Sequence, residues 1–204
     1  MAGSAELVGK NLQDALKMLE DVCEILEEAD IPYALDAGTL LGIVREDRLL
    51  PWDTDLDIAI PANHGERLKE LRKKLYKAGY LTRLRFSRLN CGPIPAKSFR
   101  LFRVYTRRFF IFKKEKLMDI FVKYKDGDSY YWVVQSDEPI LQSCEARHLD
   151  ERVKREFNGR EYYIPQDYDG YLTRHYGDWR TPKKDYDFRD ECGCNIEYFD
   201  RGDK

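Results

Sequence analysis

The sequence predicts an α/β fold in which a small mixed sheet is flanked by helices. Apolar residues at helical spacing open the chain, and short apolar strands that carry acidic residues follow, with a further helical pattern between them. The chain has 204 residues, of which 43% are hydrophobic and 13% aromatic, a composition typical of a globular domain with its own core. We predict one domain at residues 5–190 and flexible termini at residues 1–4 and 195–204.

Charge and cysteine content limit the classes of function. The 35 basic and 37 acidic residues nearly cancel, which argues against a general nucleic-acid-binding protein. No apolar stretch approaches the roughly 18 residues of a membrane helix, and no signal peptide is expected. The 5 cysteines stand at scattered spacings, which fits a reducing compartment better than a disulfide framework. We therefore expect a cytoplasmic protein without a transmembrane segment. Association with the inner face of the membrane is the alternative location.

The first helix is predicted at residues 5–29, and Pro32 ends it before a strand at Tyr33–Leu35. This strand leads into a turn at Gly38 and Thr39. Glycine lets the backbone approach a ligand closely, and the threonine is expected to cap the turn while its N–H groups bind phosphate. Many helices begin this way, so the turn indicates a phosphate-binding site only in combination with the acidic strand that follows it.

The acidic strand runs from Asp55 to Ile60. Alternate side chains of a strand share a face, so Asp55 and Asp57 are predicted to lie together. Two neighbouring carboxylates repel each other unless a cation or proton lies between them, and hard oxygen ligands suit Mg²⁺ or Mn²⁺. The alternative is a solvated strand end, which the apolar Ala59 and Ile60 disfavour.

A second acidic position interrupts an apolar strand at residues 116–122, where Asp119 is the single acid. A buried charge is costly without a partner, so this carboxylate belongs either to a functional site or to a structural salt bridge.

The stretch from Gly38 to Asp57 resembles the signature of the LicD family and of its relatives, the fukutin-related proteins, within the nucleotidyltransferase superfamily. The positions that fit the signature are Gly38, Thr39, Leu40, Leu41, Gly42, Arg45, Pro51, Trp52, Asp53, Asp55 and Asp57. Many bacterial members have an acid where this chain has Thr54, whose side chain we expect to point away from Asp53 and Asp55. The likeness extends, less strongly between residues 79 and 116, to about Pro182.

The resemblance implies a nucleotidyltransferase-like fold and Mg²⁺-dependent (or Mn²⁺-dependent) transfer of phosphocholine or a polyol phosphate. The donor would be CDP-linked and the acceptor a hydroxyl group of a glycan or glycolipid. Asp55, Asp57 and Asp119 would be the catalytic metal ligands, with Asp119 as ligand or general base. The substrate-binding residues would be Gly38, Thr39, Arg45, Trp52 and Asp53.

Two other functions remain open. The same site could transfer a nucleoside monophosphate from a nucleoside triphosphate to a small acceptor, with release of pyrophosphate. A non-catalytic domain that binds a glycan or a protein partner is the third interpretation, which the presence of all three acids disfavours.

The remaining segments give weaker predictions. Tight hairpins are predicted at the Asp-Gly turn of residues 126–128 and at the Asn-Gly turn of residues 158–159, and a short helix is predicted at residues 164–176. We expect a helix after Pro61 with Asn63 and Glu66 in a capping box, and a termination at Gly79. The strands that follow are rich in arginine, and one or two of these arginines are expected to contact the donor diphosphate. Tyr176 and Trp179 are interpreted as packing residues rather than a platform for a base.

The C-terminal Cys192 and Cys194 form a single C-x-C pair. A zinc site with Cys144, Cys91 or His148 is conceivable, but tight sites usually show a second pair. The spacing therefore favours free thiols.

Overall fold

The computed structural model describes residues 6–108, 112–134, 138–183 and 185–199. It shows a mixed α/β architecture with helices packed around a mixed sheet, which confirms the predicted fold class. The helices are α1 (Gly9–Glu28), α2 (Ala37–Glu46), α3 (Gly65–Glu70), α4 (Arg72–Lys77), α5 (Arg147–Asp150), α6 (Tyr168–Tyr176) and α7 (Phe188–Glu191). The strands are β1 (Ala34–Leu35), β2 (Leu56–Pro61), β3 (Tyr80–Phe86), β4 (Phe99–Arg108), β5 (Phe112–Asp126), β6 (Ser129–Val134), β7 (Ile140–Glu145), β8 (Arg152–Phe157), β9 (Arg160–Pro165) and β10 (Asn195–Tyr198).

The long strand β5 is the centre of the sheet. It pairs in parallel with β2, and antiparallel with β4 and β6. The sheet formed by the described residues has eight strands in the order β1-β2-β5-β6-β7-β10, and β4 pairs with β5 while β3 pairs with β4. Strands β8 and β9 form a separate hairpin, at the Asn-Gly turn that the sequence predicts.

The parallel pairing of β2 and β5 separates an apolar from a polar face. Ile58 and Ile120 are register partners and are fully buried, as are Ile60 and Val122 two residues further on. Because successive side chains alternate between faces, the intervening partners Asp57 and Asp119 point to the opposite face together. The fold thus brings two predicted site residues side by side.

Four local predictions are confirmed. The predicted first helix is observed as α1, whose buried residues include Leu19, Val22 and Leu26. Gly79 follows the end of α4 with a positive φ of 99°. The Asp-Gly turn at residues 126–128 joins β5 to β6, and the predicted short helix before the Tyr-Gly-Asp-Trp segment is α6.

Two predictions about the ends of elements are wrong. Residues 195–198 were expected in a flexible tail, but they form β10 on the edge of the sheet beside β7. Alternating polar residues at the chain end gave little sign of this pairing, which depends on the exposed edge of β7. The expected capping box at Asn63 is also absent, because a 3₁₀ turn, Ala62–His64, precedes α3 and neither start has a side-chain cap. Residues 1–4 and 200–204 lie outside the described part of the chain.

A buried ion pair connects the start of α2 to the central strand. Asp36 is 4% and Lys123 2% exposed, and Lys123 Nζ lies 2.7 Å from Asp36 Oδ2. Tyr171 of α6 donates its hydroxyl to the other oxygen of Asp36 and accepts a hydrogen bond of 3.0 Å from Lys123. The ammonium also lies 3.9 Å from the ring centroid of Trp132. Three separate elements therefore meet at one carboxylate.

Burial alone would raise the pKa of Asp36, but attraction to Lys123 and the hydrogen bonds from Lys123 and Tyr171 outweigh it, so its pKa lies below the ordinary value. Burial likewise disfavours the charged form of Lys123, and attraction to Asp36 overcomes this and raises the lysine pKa. The pair is charged at neutral pH. Its contribution to stability is lost in acid, as the pH falls through the lowered pKa of Asp36.

We predict that Lys123→Met destabilises the fold by about 3–5 kcal/mol, because the substitution leaves the Asp36 charge buried without its cation. The double variant Asp36→Asn/Lys123→Met should recover a large part of this loss. Urea unfolding of the three proteins measures the effect.

The matched control is Lys125→Met, two residues further along β5. Lys125 forms an ion pair with Asp150 in which the side chains are 49% and 40% exposed, so its loss should cost no more than about 1 kcal/mol. Equal unfolding free energies for the Lys123 and Lys125 variants would contradict the structural role of the buried pair.

Candidate active site

The first turn of α2 is held in place by Asp36. Its side chain accepts a hydrogen bond of 2.9 Å from the backbone N–H of Ala37, and its own N–H donates to the carbonyl of Asp57 at 3.0 Å. Asp36 is therefore the N-cap of the helix, and the prediction that Thr39 caps this turn is wrong. Thr39 lies inside the first turn, and its hydroxyl accepts a hydrogen bond of 2.8 Å from the N–H of Asp57. Both contacts tie the turn to the acidic strand.

Gly38 is required by the position of Asp53. A Cβ at residue 38 would lie 2.1 Å from Asp53 Oδ2, closer than any side chain allows. The close approach that the sequence predicts for Gly38 is thus made by a carboxylate of the protein itself. Asp53 also accepts a hydrogen bond of 2.8 Å from the N–H of Thr54.

Asp55 lies in a bend directly before β2, two residues from Asp57. The hydroxyl of Thr54 reaches Asp55 Oδ1 at 3.4 Å, so the expectation that Thr54 points away from this acid is wrong. The bend turns the threonine side chain toward its neighbour, whereas strict strand alternation would separate the two. Thr54 thus holds the carboxylate of Asp55 by a hydrogen bond instead of adding a further charge.

Three charged residues form a row across the sheet. Asp119 in β5 is the register partner of Asp57 in β2 and of Arg103 in β4. Register partners share a face, so the Asp119 carboxylate lies between a second carboxylate and a guanidinium. Arg103 Nε donates to Asp119 Oδ1 at 3.1 Å, and the Asp119 side chain is only 6% exposed. The structure thus brings Arg103, from the basic segment, to the predicted site.

A cavity of ≈ 370 Å³ opens beside this row. Five predicted site residues line it, namely Gly38, Arg45, Trp52, Asp53 and Asp57, while Thr39, Asp55 and Asp119 are not among the lining residues. Phe121, which lines the cavity, follows Asp119 by two residues in β5, so the two side chains lie on the same face of the sheet. The charged row therefore borders the cavity.

Aromatic residues form much of the cavity wall. They are Trp52, Phe121, Trp132, Tyr176, Trp179, Tyr186 and Phe188. Trp179 is 6% exposed, and its indole donates to Asp169 at 3.1 Å, as the packing interpretation expects. Enclosure by the protein and repulsion from Asp57 raise the pKa of Tyr176 well above its ordinary value. Its hydroxyl therefore stays protonated beside the acidic strand.

Arg45 connects two walls of the cavity. Its Nη1 donates to the carbonyl of Trp179 at 3.1 Å, and its Nη2 pairs with Glu46 at 2.6 Å. Only 9% of the Arg45 side chain is exposed. Arg45 thus orders the segment that follows α6 and also presents a positive charge to the cavity.

Sequence reasoning missed the importance of Asp36, Lys123 and His175, all of which lie at or next to the cavity. A signal for Lys123 was present, since it follows Asp119 by four residues in the same strand and so shares its face. No sequence pattern connects His175 to this region.

Comparison with known proteins agrees with the geometry. A family profile described as LicD/FKTN/FKRP, nucleotidyltransferase domain, matches residues 30–167. Two uncharacterised rickettsial proteins are similar over most of the chain. The one from Rickettsia typhi is 26% identical over 80% of this chain and 45% of its own length, and the one from Rickettsia prowazekii is 27% identical over 84% and 57%. The chain thus spans about half the length of these relatives.

Two further similarities are more limited. The human ribitol 5-phosphate transferase FKRP is 37% identical over 51 residues, which is 25% of this chain and 10% of that protein. Among solved structures, ANT(2″)-Ia in complex with adenylyl-2″-tobramycin aligns with a TM-score of 0.44 and 16% identity over 87% of this chain and 83% of its own.

Each helix that the structure describes is either too short or too polar to span a lipid bilayer. The family profile covers the Gly38 turn, the acidic strand and Asp119, which are the residues that carry the resemblance seen in the sequence. The chain therefore belongs to the LicD/FKTN/FKRP family of nucleotidyltransferase domains.

Proposed function

We propose that this chain is a phosphotransferase that moves a substituted phosphate from a CDP-linked donor to a hydroxyl group of a glycan or glycolipid. The observation that carries the proposal is the pairing of Asp57 with Asp119 on parallel strands, beside a cavity that the Gly38 turn also lines. The transferred group is phosphocholine or a polyol phosphate. The partial similarity to a ribitol 5-phosphate transferase supports ribitol phosphate as the first candidate to test.

The acidic residues fit a hard divalent cation. Asp55, Asp57 and Asp119 offer carboxylate oxygens, the ligands that Mg²⁺ and Mn²⁺ prefer, and Asp57 and Asp119 face the same side of the sheet. Mg²⁺ (or Mn²⁺) held by these three residues would neutralise charge on the donor's diphosphate. Arg103 reduces the repulsion between the two carboxylates of the row from the side of β4.

The protein residues would orient the donor and accept a proton. The first-turn N–H groups of Gly38 and Thr39 lie at the positive end of α2, where a phosphate oxygen is stabilised. The aromatic wall offers faces on which a cytosine ring can stack. The acceptor hydroxyl attacks the distal phosphorus in line, CMP leaves, and Asp119, in its alternative role as general base, takes the hydroxyl proton.

The donor is tested by titration and product analysis. Among the described residues, the cations that line the cavity, Arg45 and Lys183, are each paired with a glutamate, and Arg103 beside it is paired with Asp119. This modest excess of positive charge suits a diphosphate ester better than a more highly charged triphosphate. We predict that, with Mg²⁺ present, CDP-ribitol or CDP-choline binds more tightly than CTP in calorimetric titration. Addition of an acceptor should then release CMP.

Each other outcome selects a different function. Tightest binding of CTP, with pyrophosphate released on addition of an acceptor, supports the nucleotidyltransferase interpretation. Binding of a glycan without turnover of any donor supports a non-catalytic domain.

We predict that Asp57→Asn lowers turnover at least about a hundredfold, since even the loss of residues that only support metal ligands costs 10–100-fold. The fold should be as stable as wild type, or slightly more stable without metal, because the substitution removes a charge from a repulsive cluster. Activity and thermal unfolding should be measured together. The control is Asp126→Asn, an exposed acid at the turn between β5 and β6, and full activity of Asp57→Asn would exclude the proposed metal site.

We predict that Gly38→Ala weakens donor binding roughly tenfold or more, because its Cβ would displace the Asp53 carboxylate from the first turn of α2. Calorimetric titration with the best CDP-linked donor measures the change. Gly65→Ala is the control, since its Cβ would lie 3.3 Å from the nearest atom, a contact that a small shift of Phe99 relieves. Unchanged donor affinity in Gly38→Ala would show that this turn does not position the donor.

A further inference from the structure

The structure assembles a cluster of three soft metal ligands next to the candidate active site. His175 lies in the last turn of α6, Cys192 follows α7, and Cys194 precedes β10. One ligand atom from each residue lies within 4.8 Å of the other two, and His175 Nδ1 is 3.8 Å from Cys194 Sγ. The three residues are 7%, 4% and 0% exposed, respectively. None of them has a role in the function proposed above.

We propose that His175, Cys192 and Cys194 bind one Zn²⁺ ion. Around a tetrahedral zinc with Zn–S near 2.3 Å and Zn–N near 2.0–2.1 Å, ligand atoms are separated by roughly 3.5–3.8 Å. The observed distance of 3.8 Å between His175 Nδ1 and Cys194 Sγ already matches this value. The other two ligand-to-ligand distances are at most 4.8 Å, so these atoms need to move together by only about 1 Å to bind the ion.

Gly193, between the two cysteines, lets the backbone pack closely against the end of α6. A Cβ at residue 193 would lie 2.3 Å from the carbonyl oxygen of Arg174, so only glycine lets the C-x-C segment pack directly on the end of α6. This contact brings the sulfur atoms on both sides of Gly193 to the next residue of the helix, His175. The sequence spacing alone did not predict the site because its histidine comes from an element 17 residues before Cys192.

A neighbouring side chain also supports a thiolate at Cys192. The amide nitrogen of Gln142 in β7 donates to Cys192 Sγ at 3.5 Å, and the same amide donates to Asn195 at 2.6 Å. Hydrogen bonds of this kind orient metal ligands and balance their charge. Gln142 and His175 both line the cavity, so the fourth zinc position, which these three residues leave open, is available to water or an added ligand from that side.

A zinc ion here would fix the C-terminal segment to α6. That segment contributes Tyr186 and Phe188 to the cavity wall, and α6 contributes Tyr176. The proposed ion is therefore a structural support for the wall, at a place distinct from the carboxylates of Asp55, Asp57 and Asp119, and its binding does not depend on the proposed transferase activity.

The test measures metal content on the full chain, produced without an affinity tag, incubated with Zn²⁺ and dialysed against metal-free buffer. We expect about one zinc per chain, retained in Cys91→Ser and Asp57→Asn and reduced to background in Cys192→Ser and Cys194→Ser. Cys91 is the matched control because it is equally buried but belongs to a separate apolar cluster. Replacement by Co²⁺ should give thiolate-to-cobalt absorption in wild type and in Asp57→Asn.

Thermal unfolding with and without zinc is a second measurement, which does not depend on obtaining every variant in folded form. Zinc should raise the thermal midpoint of the wild-type chain, a chelator should reverse the rise, and neither should shift Cys194→Ser. Three results would overturn the proposal: wild type without bound zinc after incubation, zinc retained by the Cys192→Ser/Cys194→Ser double variant, or an intact mass that shows a Cys192–Cys194 disulfide in freshly purified protein.

Discussion

The carboxylate of Asp36 is the contact on which the candidate site depends. It caps α2, pairs with Lys123 of the central strand and accepts the hydroxyl of Tyr171, while its backbone N–H binds the carbonyl of Asp57. Burying two charges costs several kcal/mol per ion before their attraction is counted, so such a pair is a poor means of gaining stability alone. The contribution of this ion pair is instead to fix the positions of the elements around it. The Gly38 turn, the acidic strand and α6 are all oriented by one residue that itself lines the cavity.

The row formed by Asp57, Asp119 and Arg103 shows how the sheet sets the charge balance of the site. Parallel register places two carboxylates side by side, an arrangement that is repulsive in the absence of a cation. The antiparallel register of β4 then supplies a guanidinium to Asp119, and Asp57 is the acid of this row that lines the cavity. Arg103 also gives Asp119 a structural ion pair, which was the alternative interpretation of that residue. The two roles are compatible, because a carboxylate has two oxygens and Arg103 Nε binds Oδ1.

Local patterns predicted much of this fold, and long-range contacts account for what they missed. Apolar periodicity gave α1 and β2, the Asn-Gly turn gave the β8–β9 hairpin, and the single acid in an apolar strand identified Asp119. The cap of α2 was assigned to Thr39, because nothing in the sequence shows that Asp36 is buried against Lys123, 87 residues later. Strand β10 and the His175–Cys192–Cys194 cluster were missed for the same reason, since each depends on two segments that meet only after folding.

The cavity is built from two parts of the chain that contribute different properties. The family match at residues 30–167 covers the acids and the Gly38 turn, so the residues of the proposed metal site belong to the part that this chain shares with the family. The wall formed by His175, Tyr176, Trp179, Tyr186 and Phe188 lies after residue 167. Arg45 joins the two parts, because it stands on α2 and donates to the carbonyl of Trp179. The shape of the cavity therefore depends in part on residues outside the family match. The family match therefore supports the proposed reaction class more strongly than it supports any one transferred group.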